Sequence, residues 1–257
     1  MSSANKVYFG TNLKMYMDAG TTKEFIVKLI DLTKGIDREK IELFVLPSFT
    51  ALQIADSVAD RWFIKIGAQN MHWERQGPFT GEISPPMLKE FSIDIVEIGH
   101  SDRRHLFGET DENECKKVRS ALEFGFTALL CVGETKQQKE YGIADNVLST
   151  QLRIGLSKTT ATQLDRVWIA YEPVWAIGDN STAASPEYVR QRSDGLRATL
   201  VDLFGEAGRN VPLLYGGSVD HANASHFLAL PNINGLFIGR YAWEAKRFAH
   251  LISTLVT

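Results

Sequence analysis

The chain has 257 residues, of which 44% are hydrophobic and 23% are charged, an ordinary composition for a globular protein with a sizeable core. Its 28 Lys and Arg nearly balance 31 Asp and Glu, the net charge is −3, and no long block of like charge indicates a nucleic-acid partner. The start lacks the apolar stretch of a signal peptide, and no run of about 18 apolar residues occurs, so we expect a cytoplasmic protein without a membrane partner.

The cysteines and histidines do not indicate a metal site. Cys115 and Cys131 lack metal-type spacing and are too few for a disulfide framework, so we expect buried free thiols in a reducing compartment. His100 and His105 lie five residues apart, outside the i, i+4 spacing of a zinc-binding helix. We therefore expect neither a metal nor another cofactor.

Short apolar runs alternate with longer amphipathic segments along the chain. The runs are rich in β-branched, aromatic and leucine side chains, which is typical of buried strands. In chain order, the eight predicted strands are Val7–Gly10, Ile41–Leu46, Ile64–Ala68, Ile93–Ile98, Thr127–Val132, Val167–Tyr171, Val211–Tyr215 and Gly235–Ile238.

Capping residues predict helices between these strands. The segment Thr21–Glu24 has the spacing of a capping box, and Gly35 would end the helix that follows it. The pairs Ser84-Pro85 and Ser185-Pro186 each place a capping hydroxyl before a proline at the first helical position. Gly125 is a C-terminal stop signal.

The alternation of strands and helices predicts an α/β fold. Strands that are apolar on both faces need parallel pairing with helices as cover, and right-handed crossovers wind such a sheet in one direction. Eight units of this kind can close into a (β/α)₈ TIM barrel, and residues 1–257 suffice for one such domain. A doubly wound open sheet is the rival, but no GxGxxG follows the first strand.

Polar residues and glycines follow several of the predicted strands directly. In a parallel barrel the catalytic groups lie at the carboxyl ends of the strands, where these residues would converge. They are Asn12 and Lys14 after strand one, His100 and Ser101 after strand four, Glu172 after strand six, Gly216, Gly217 and Ser218 after strand seven, and Gly239 and Arg240 after strand eight.

Four segments resemble the triosephosphate isomerase family. They are QNMHWERQGPFTGEIS at 69–84, EIGHSDRRHLFGETDE at 97–112, AYEPVWAIG at 170–178 and YGGSV at 215–219. The resemblance spans nearly the whole chain. It implies an aldose–ketose isomerase that acts on a small phosphorylated sugar through an enediolate.

The family resemblance implies a role for each polar residue near the reacting carbons, and local chemistry supports these roles. Glu172 would be the base that takes a proton from a carbon next to a carbonyl. His100 would be a neutral imidazole that polarises the carbonyl, since a helix N-terminus disfavours imidazolium. The ammonium of Lys14 would offset the enediolate charge, with Asn12 as a polar contact.

Phosphate recognition is expected from main-chain groups. Gly178, Gly217, Ser218 and Gly239 match family positions whose backbone contacts phosphate, and glycine permits that close approach. The apolar segment 173–178 is interpreted as a lid that excludes water from the enediolate.

One loop is expected to contact a second subunit. The GPFTGE run at 77–82 resembles the long loop with which one family subunit reaches its neighbour, so that Thr80 would approach the other active site of a homodimer. From the residues alone, the same run could equally be an ordinary surface loop.

Several positions depart from the family pattern. Asp102 stands where a glutamate is usual, so any contact from it to Lys14 would have to be rearranged, and Leu13 and Tyr16 flank that lysine. The segment 179–181, Asp-Asn-Ser, replaces the usual Thr-Gly-Lys. Arg240 replaces a second glycine and places a guanidinium at the phosphate end of the site or across its rim.

These departures leave the substrate open. The first expectation is dihydroxyacetone phosphate and glyceraldehyde 3-phosphate, the triose pair of glycolysis and gluconeogenesis. The alternative is a four-carbon ketose phosphate such as an erythrulose phosphate. Two other classes remain: a Schiff-base aldolase, for which Lys14 is the candidate lysine, and a catalytically silent phosphate-binding barrel.

Overall fold

Eight parallel strands pair in chain order and close into a barrel. A computed structural model describes residues 6–178 and 182–256. The closed order confirms the predicted TIM barrel over the doubly wound sheet, whereas the assignment of residues 1–257 to one domain stays a prediction. The strands are β1 Val7–Asn12, β2 Ile41–Leu46, β3 Lys65–Ala68, β4 Ile95–Ile98, β5 Thr127–Val132, β6 Val167–Tyr171, β7 Leu213–Tyr215 and β8 Gly235–Phe237.

Helices follow the strands and cover the barrel. They are α1 Ala19–Thr33, α2 Leu52–Val58, α3 Pro85–Lys89, α4 Ser101–Leu106, α5 Asp111–Glu123, α6 Lys136–Glu140, α7 Ala144–Gly155, α8 Pro186–Phe204, α9 Ala224–Leu228 and α10 Ala245–Val256. Among the residues described, none of these helices has the length and apolar character needed to cross a bilayer.

Two of the predicted helix starts are confirmed and one is wrong. Ser84 and Ser185 accept hydrogen bonds at the N-termini of α3 and α8, each ahead of a proline. Helix α1 does not begin with a capping box at Thr21. The carboxylate of Asp18 accepts from the Thr21 amide at 2.8 Å, so the helix begins at Ala19 instead.

The predicted strand limits are correct for β2, β5 and β6 and differ by one or two residues for the other strands. β1 continues from Gly10 to Asn12, because its pairing with β2 extends to that residue. This extension brings Asn12 to the carboxyl end of the strand, at the mouth of the barrel.

Aromatic side chains fill the inside of the barrel. Trp168 packs against Tyr8 and Phe44, with ring centroids 4.8 and 5.5 Å apart. Gly10 makes room for this packing, since a Cβ at that position would lie 2.0 Å from the Phe44 ring. A second and larger apolar layer lies between the strands and the helices. The interior is thus a packed floor beneath the mouth.

Both cysteines are free thiols, as expected, but only one is buried. Cys131 points into the barrel from β5. Cys115 is half-buried on α5, where its sulfur lies 3.2 Å from the hydroxyl of Ser157, so the prediction of burial is wrong for this residue.

Candidate active site

A cavity of about 580 Å³ opens at the carboxyl ends of the strands. The residues that sequence analysis selected for catalysis and phosphate binding line this one cavity. They are Asn12, Lys14, His100, Glu172, Gly178, Gly217, Ser218, Gly239 and Arg240.

Glu172 lies directly after β6 and is 4% exposed. Its backbone amide donates to the Val132 carbonyl at 2.8 Å, which continues the strand pairing by one residue. Gly216 leaves space for the side chain, because a Cβ there would lie 2.8 Å from the Oε1 atom of Glu172. The carboxyl group is therefore held in a fixed place with little exposure to water.

The pKa of Glu172 is raised above that of an ordinary glutamate. Burial is the main cause, since removal of water disfavours the charged form. The neighbouring side chains of His100 and Lys14 act in the opposite direction and favour the carboxylate. A carboxyl group with this balance is suited to act as a base, because it combines ionisation with an increased affinity for a proton.

His100 is placed opposite this carboxyl group by the start of α4. Its Nδ1 atom accepts from the backbone amide of Asp102 at 3.0 Å, as an N-cap does, so the ring proton is assigned to Nε2. Nε2 lies 3.8 Å from the Oε2 atom of Glu172, which accepts no hydrogen bond within the described residues. The gap between base and imidazole faces the cavity.

Lys14 has a left-handed backbone, with φ of 50°. The side-chain oxygen of Asn12 accepts from the Lys14 amide at 2.6 Å, and Gln69 donates to the Lys14 carbonyl at 2.9 Å. Its Nζ atom lies 3.0 Å from the carboxylate of Asp102, so the shorter acid reaches the lysine directly. These contacts hold a conformation that is unfavourable for a residue with a side chain.

Two buried side chains near Glu172 were missed by sequence analysis. Glu97 on β4 accepts a hydrogen bond from the Asn12 amide at 2.6 Å, and Cys131 lies 3.7 Å from its other oxygen. One carboxylate oxygen of Glu97, one of Glu172 and the sulfur of Cys131 lie within 4.8 Å of one another. The available signal was an acidic residue in the otherwise apolar run of β4.

The opposite end of the cavity consists of turns after β6, β7 and β8. Ser218 donates from both its amide and its hydroxyl to the Ala176 carbonyl, at 2.9 and 2.8 Å. Gly239 precedes a 3₁₀ turn over Arg240–Trp243. Arg240 is exposed on the rim, where its guanidinium is accessible from the cavity.

The segment interpreted as a lid packs against a buried carboxyl group. Glu134 accepts hydrogen bonds from Trp175 at 2.8 Å and from Tyr188 at 2.9 Å. The ammonium of Lys139 lies 3.3 Å from the centre of the Trp175 ring. Ile177 and Gly178, at the far end of the segment, line the cavity. The replaced hinge residues 179–181 lie outside the described residues.

The rim beside Lys14 carries two aromatic rings. Tyr16 and Trp243 line the cavity with ring centroids 4.4 Å apart. Trp243 is held in place because its indole N–H donates to the Asn12 carbonyl at 2.9 Å. Ser101 is buried at the start of α4, and Thr80 is exposed in its loop and does not line the cavity.

Comparisons with known proteins show which family and which relatives the sequence resembles. The family model described as Triosephosphate isomerase matches residues 7–255. The chain is 41% identical to L-erythrulose-1-phosphate isomerase of Rhizobium etli over 249 residues, which cover 96% of this chain and 91% of the relative.

Two further relatives show how similarity divides between two activities. The protein of Brucella abortus with the same name is 41% identical over 255 residues, covering 98% of this chain and 97% of its own length. The triosephosphate isomerase of Dictyoglomus thermophilum is 36% identical over 244 residues, covering 95% and 97%. Similarity is thus higher to the relatives named for a four-carbon sugar phosphate.

Proposed function

Because the chain belongs to the triosephosphate isomerase family and is an isomerase, we propose that it acts on a four-carbon ketose phosphate, L-erythrulose 1-phosphate. The observation that supports the chemistry is the 3.8 Å separation of the Glu172 carboxyl and the His100 imidazole at one cavity. The relatives support the substrate, so the alternative from sequence analysis replaces triose phosphate as the preferred one.

This substrate is dihydroxyacetone phosphate with a hydroxymethyl group in place of one hydrogen on the carbon that loses a proton. Glu172 takes the proton from C3, and the electrons of that C–H bond form the C2–C3 double bond of an enediolate. Return of the proton to C2 leaves the carbonyl at C3, which gives erythrulose 4-phosphate. With a triose the same step interconverts a ketose and an aldose.

The other side chains stabilise the charge that forms during this step. His100 presents its Nε2 proton to the carbonyl oxygen and moves protons between the two enediolate oxygens. The ammonium of Lys14 offsets the negative charge, and Asn12 has a second amide proton for a substrate oxygen. These assignments use only groups that line the cavity.

The phosphate group is proposed to bind at the far end of the cavity. Backbone amides of Gly178, Gly217 and Gly239 would receive the dianion, with Arg240 as an additional cation. The Ser218 amide would join them when movement of the segment 173–178 releases it from the Ala176 carbonyl. Glycines permit this approach because they have no side chain. Closure of the segment 173–178 would exclude water, which protects an enediol phosphate from loss of its phosphate.

We also propose a cytoplasmic homodimer, in which Thr80 of one subunit approaches the active site of the other. The exposed position of its loop and the family membership support this arrangement. Analytical ultracentrifugation of the purified chain should give twice the mass of one chain, and a monomer would contradict the proposal.

Parallel kinetics test the proposed substrate. We expect kcat/KM for L-erythrulose 1-phosphate to exceed the values for its D-enantiomer and for dihydroxyacetone phosphate by about tenfold or more. Faster turnover of dihydroxyacetone phosphate would instead favour triose phosphate as the substrate. Absence of turnover with tight phosphate-analogue binding would favour the silent barrel, and borohydride trapping of a substrate on Lys14 would favour the aldolase.

A further inference from the structure

Glu97 occupies an unusual place for an acidic residue. It lies on β4, where Ile95 points into the barrel with the interior cluster while Val96 and Ile98 belong to the outer apolar layer. Side chains alternate along a strand, so Glu97 points inward, and it is 1% exposed. The inside of such barrels is ordinarily filled by branched apolar side chains.

The contacts of Glu97 connect it to the active site. Its Oε2 atom accepts from Nδ2 of Asn12 at 2.6 Å, and the Cys131 thiol points to its Oε1 atom at 3.7 Å. An oxygen of Glu172 belongs to the same cluster. A buried carboxyl group with these partners is far from solvent and close to the catalytic base.

Two buried carboxyl groups this close do not both ionise at neutral pH. The pKa of Glu97 is raised well above the usual value by burial and next by the negative charge of Glu172. Lys14 and His100 favour the charged form of Glu172. The negative charge therefore resides on Glu172, and Glu97 keeps its proton.

Asn12 is fixed at both ends of its amide group. Its Oδ1 atom accepts from the amide of Lys14 at 2.6 Å, and its Nδ2 atom donates to Glu97. Since a backbone N–H is always a donor, the orientation of the amide is unambiguous. Without Glu97, one end of this amide would have no partner in the barrel floor, and the strained backbone of Lys14 would lose its support.

We propose that Glu97 is a positioning residue of the isomerisation: a neutral, buried carboxyl group that holds Asn12, and through it Lys14, where the reacting end of the substrate binds. The proposal rests on the isomerase activity but is independent of which ketose phosphate is the substrate. It assigns a function to an acidic side chain that packing alone would disfavour.

The test compares two substitutions that differ in hydrogen bonding. Glu97→Gln keeps an oxygen that accepts from Asn12, so we expect kcat within about threefold of wild type. Glu97→Leu removes that acceptor, and we expect kcat to fall about 10- to 100-fold. Inhibition by inorganic phosphate should change less than about twofold in both, because the described hydrogen-bond partners of Glu97 are Asn12 and Cys131, near the reacting end of the cavity.

Asp94→Asn is a matched control. Asp94 immediately precedes β4 at the other end of the barrel, and its pKa is also raised by burial. Neutralising it should leave kcat unchanged. Infrared spectra at neutral pH supply an independent readout, since the wild-type minus Glu97→Gln difference should contain the carbonyl band of a protonated carboxyl group.

Several outcomes would overturn the proposal. They are wild-type turnover in Glu97→Leu, equal impairment of Glu97→Gln and Glu97→Leu, or absence of the protonated carboxyl band. If Glu97→Leu does not fold, the rate and spectrum of Glu97→Gln decide alone. Rates are measured on whichever ketose phosphate the wild type converts. Failure on the tetrulose phosphate would thus affect the proposed substrate, whereas the spectrum still tests Glu97.

Discussion

At the scale of single residues, the proposed base is a buried carboxyl group whose neighbours favour its ionisation. Burial raises the pKa of Glu172, while His100 and Lys14 lower it. The carboxylate is the active form, so turnover should decrease as the pH falls through this raised pKa. The decrease should begin at a higher pH than for a solvent-exposed glutamate.

This first prediction is best measured on the residue itself. The ¹³C resonance of the Glu172 carboxyl group, assigned by its absence in Glu172→Gln, should titrate with a midpoint above the usual range of glutamate. Because the pKa refers to the free protein, no substrate is needed. A midpoint at or below the usual value would show that the neighbouring charges outweigh burial.

A second prediction for a single residue concerns the effect of Arg240 on substrate preference. Its guanidinium is at the rim of the cavity and can donate to the hydroxyl group on C4 or to the phosphate. Arg240→Gly should lower kcat/KM for erythrulose 1-phosphate relative to dihydroxyacetone phosphate about fivefold, the value of roughly one hydrogen bond. Arg209→Gly, at an exposed position of another 3₁₀ turn, is the control. An unchanged ratio would exclude Arg240 as a selectivity element.

At the scale of elements, a buried acid connects the segment interpreted as a lid to α8. Glu134 accepts from Trp175 in the lid and from Tyr188 in α8. Trp175→Phe removes the hydrogen bond to Glu134 but keeps an aromatic ring at this position. We therefore expect kcat/KM to fall about tenfold with an unchanged fold. Trp62→Phe, at a tryptophan that is 66% exposed, should have no effect. Equal activity of both variants would contradict a role for this contact.

The sequence predicts the limits of a strand or helix well where neighbouring residues determine them. It predicts them poorly where two residues could cap the same helix or where pairing with another strand decides the limit. The limits of β5 and β6 could be predicted because turn residues bound their apolar runs on both sides. The start of α1 could not, since Asp18 and Thr21 are both good caps and only the structure shows that Asp18 is used. At β1 the pairing with β2 carries the strand beyond its apolar run to Asn12.

The candidate site also has a part that the sequence predicts and a part that it does not. The residues at the strand ends could be predicted to meet, because a closed parallel barrel brings all carboxyl ends to one mouth. The bond between Asn12 and Glu97 joins positions 85 residues apart and has no local signature. Register between distant strands decides it, and a single sequence does not contain that register.

At the scale of the whole molecule, buried acids should make stability depend on pH. Burial raises the pKa of Glu114 on α5 to about 8 from 4.5, and neither of its side-chain oxygens has a hydrogen-bond partner in the described residues. Between these two values the folded chain retains a proton that the unfolded chain has released. The free energy of unfolding therefore decreases as the pH rises through this window.

Glu114→Gln removes this titration. Relative to wild type, the variant should gain free energy of unfolding, on the order of a few kcal/mol, as the pH is raised from 5 to 8. Urea denaturation at both pH values measures the change, and the difference between the two proteins cancels contributions of other groups such as Asp94. Equal slopes with pH in both proteins would show that Glu114 is ionised in the folded state.

The central step of the proposed reaction is proton abstraction by Glu172 from the carbon next to the substrate carbonyl. Proton NMR of L-erythrulose 1-phosphate in D₂O follows that event directly. With wild type, the signal of the C3 hydrogen should decrease as deuterium enters the recovered substrate and the product, while folded Glu172→Gln should leave the signal unchanged. Exchange by Glu172→Gln at the wild-type rate would contradict the assignment of the base.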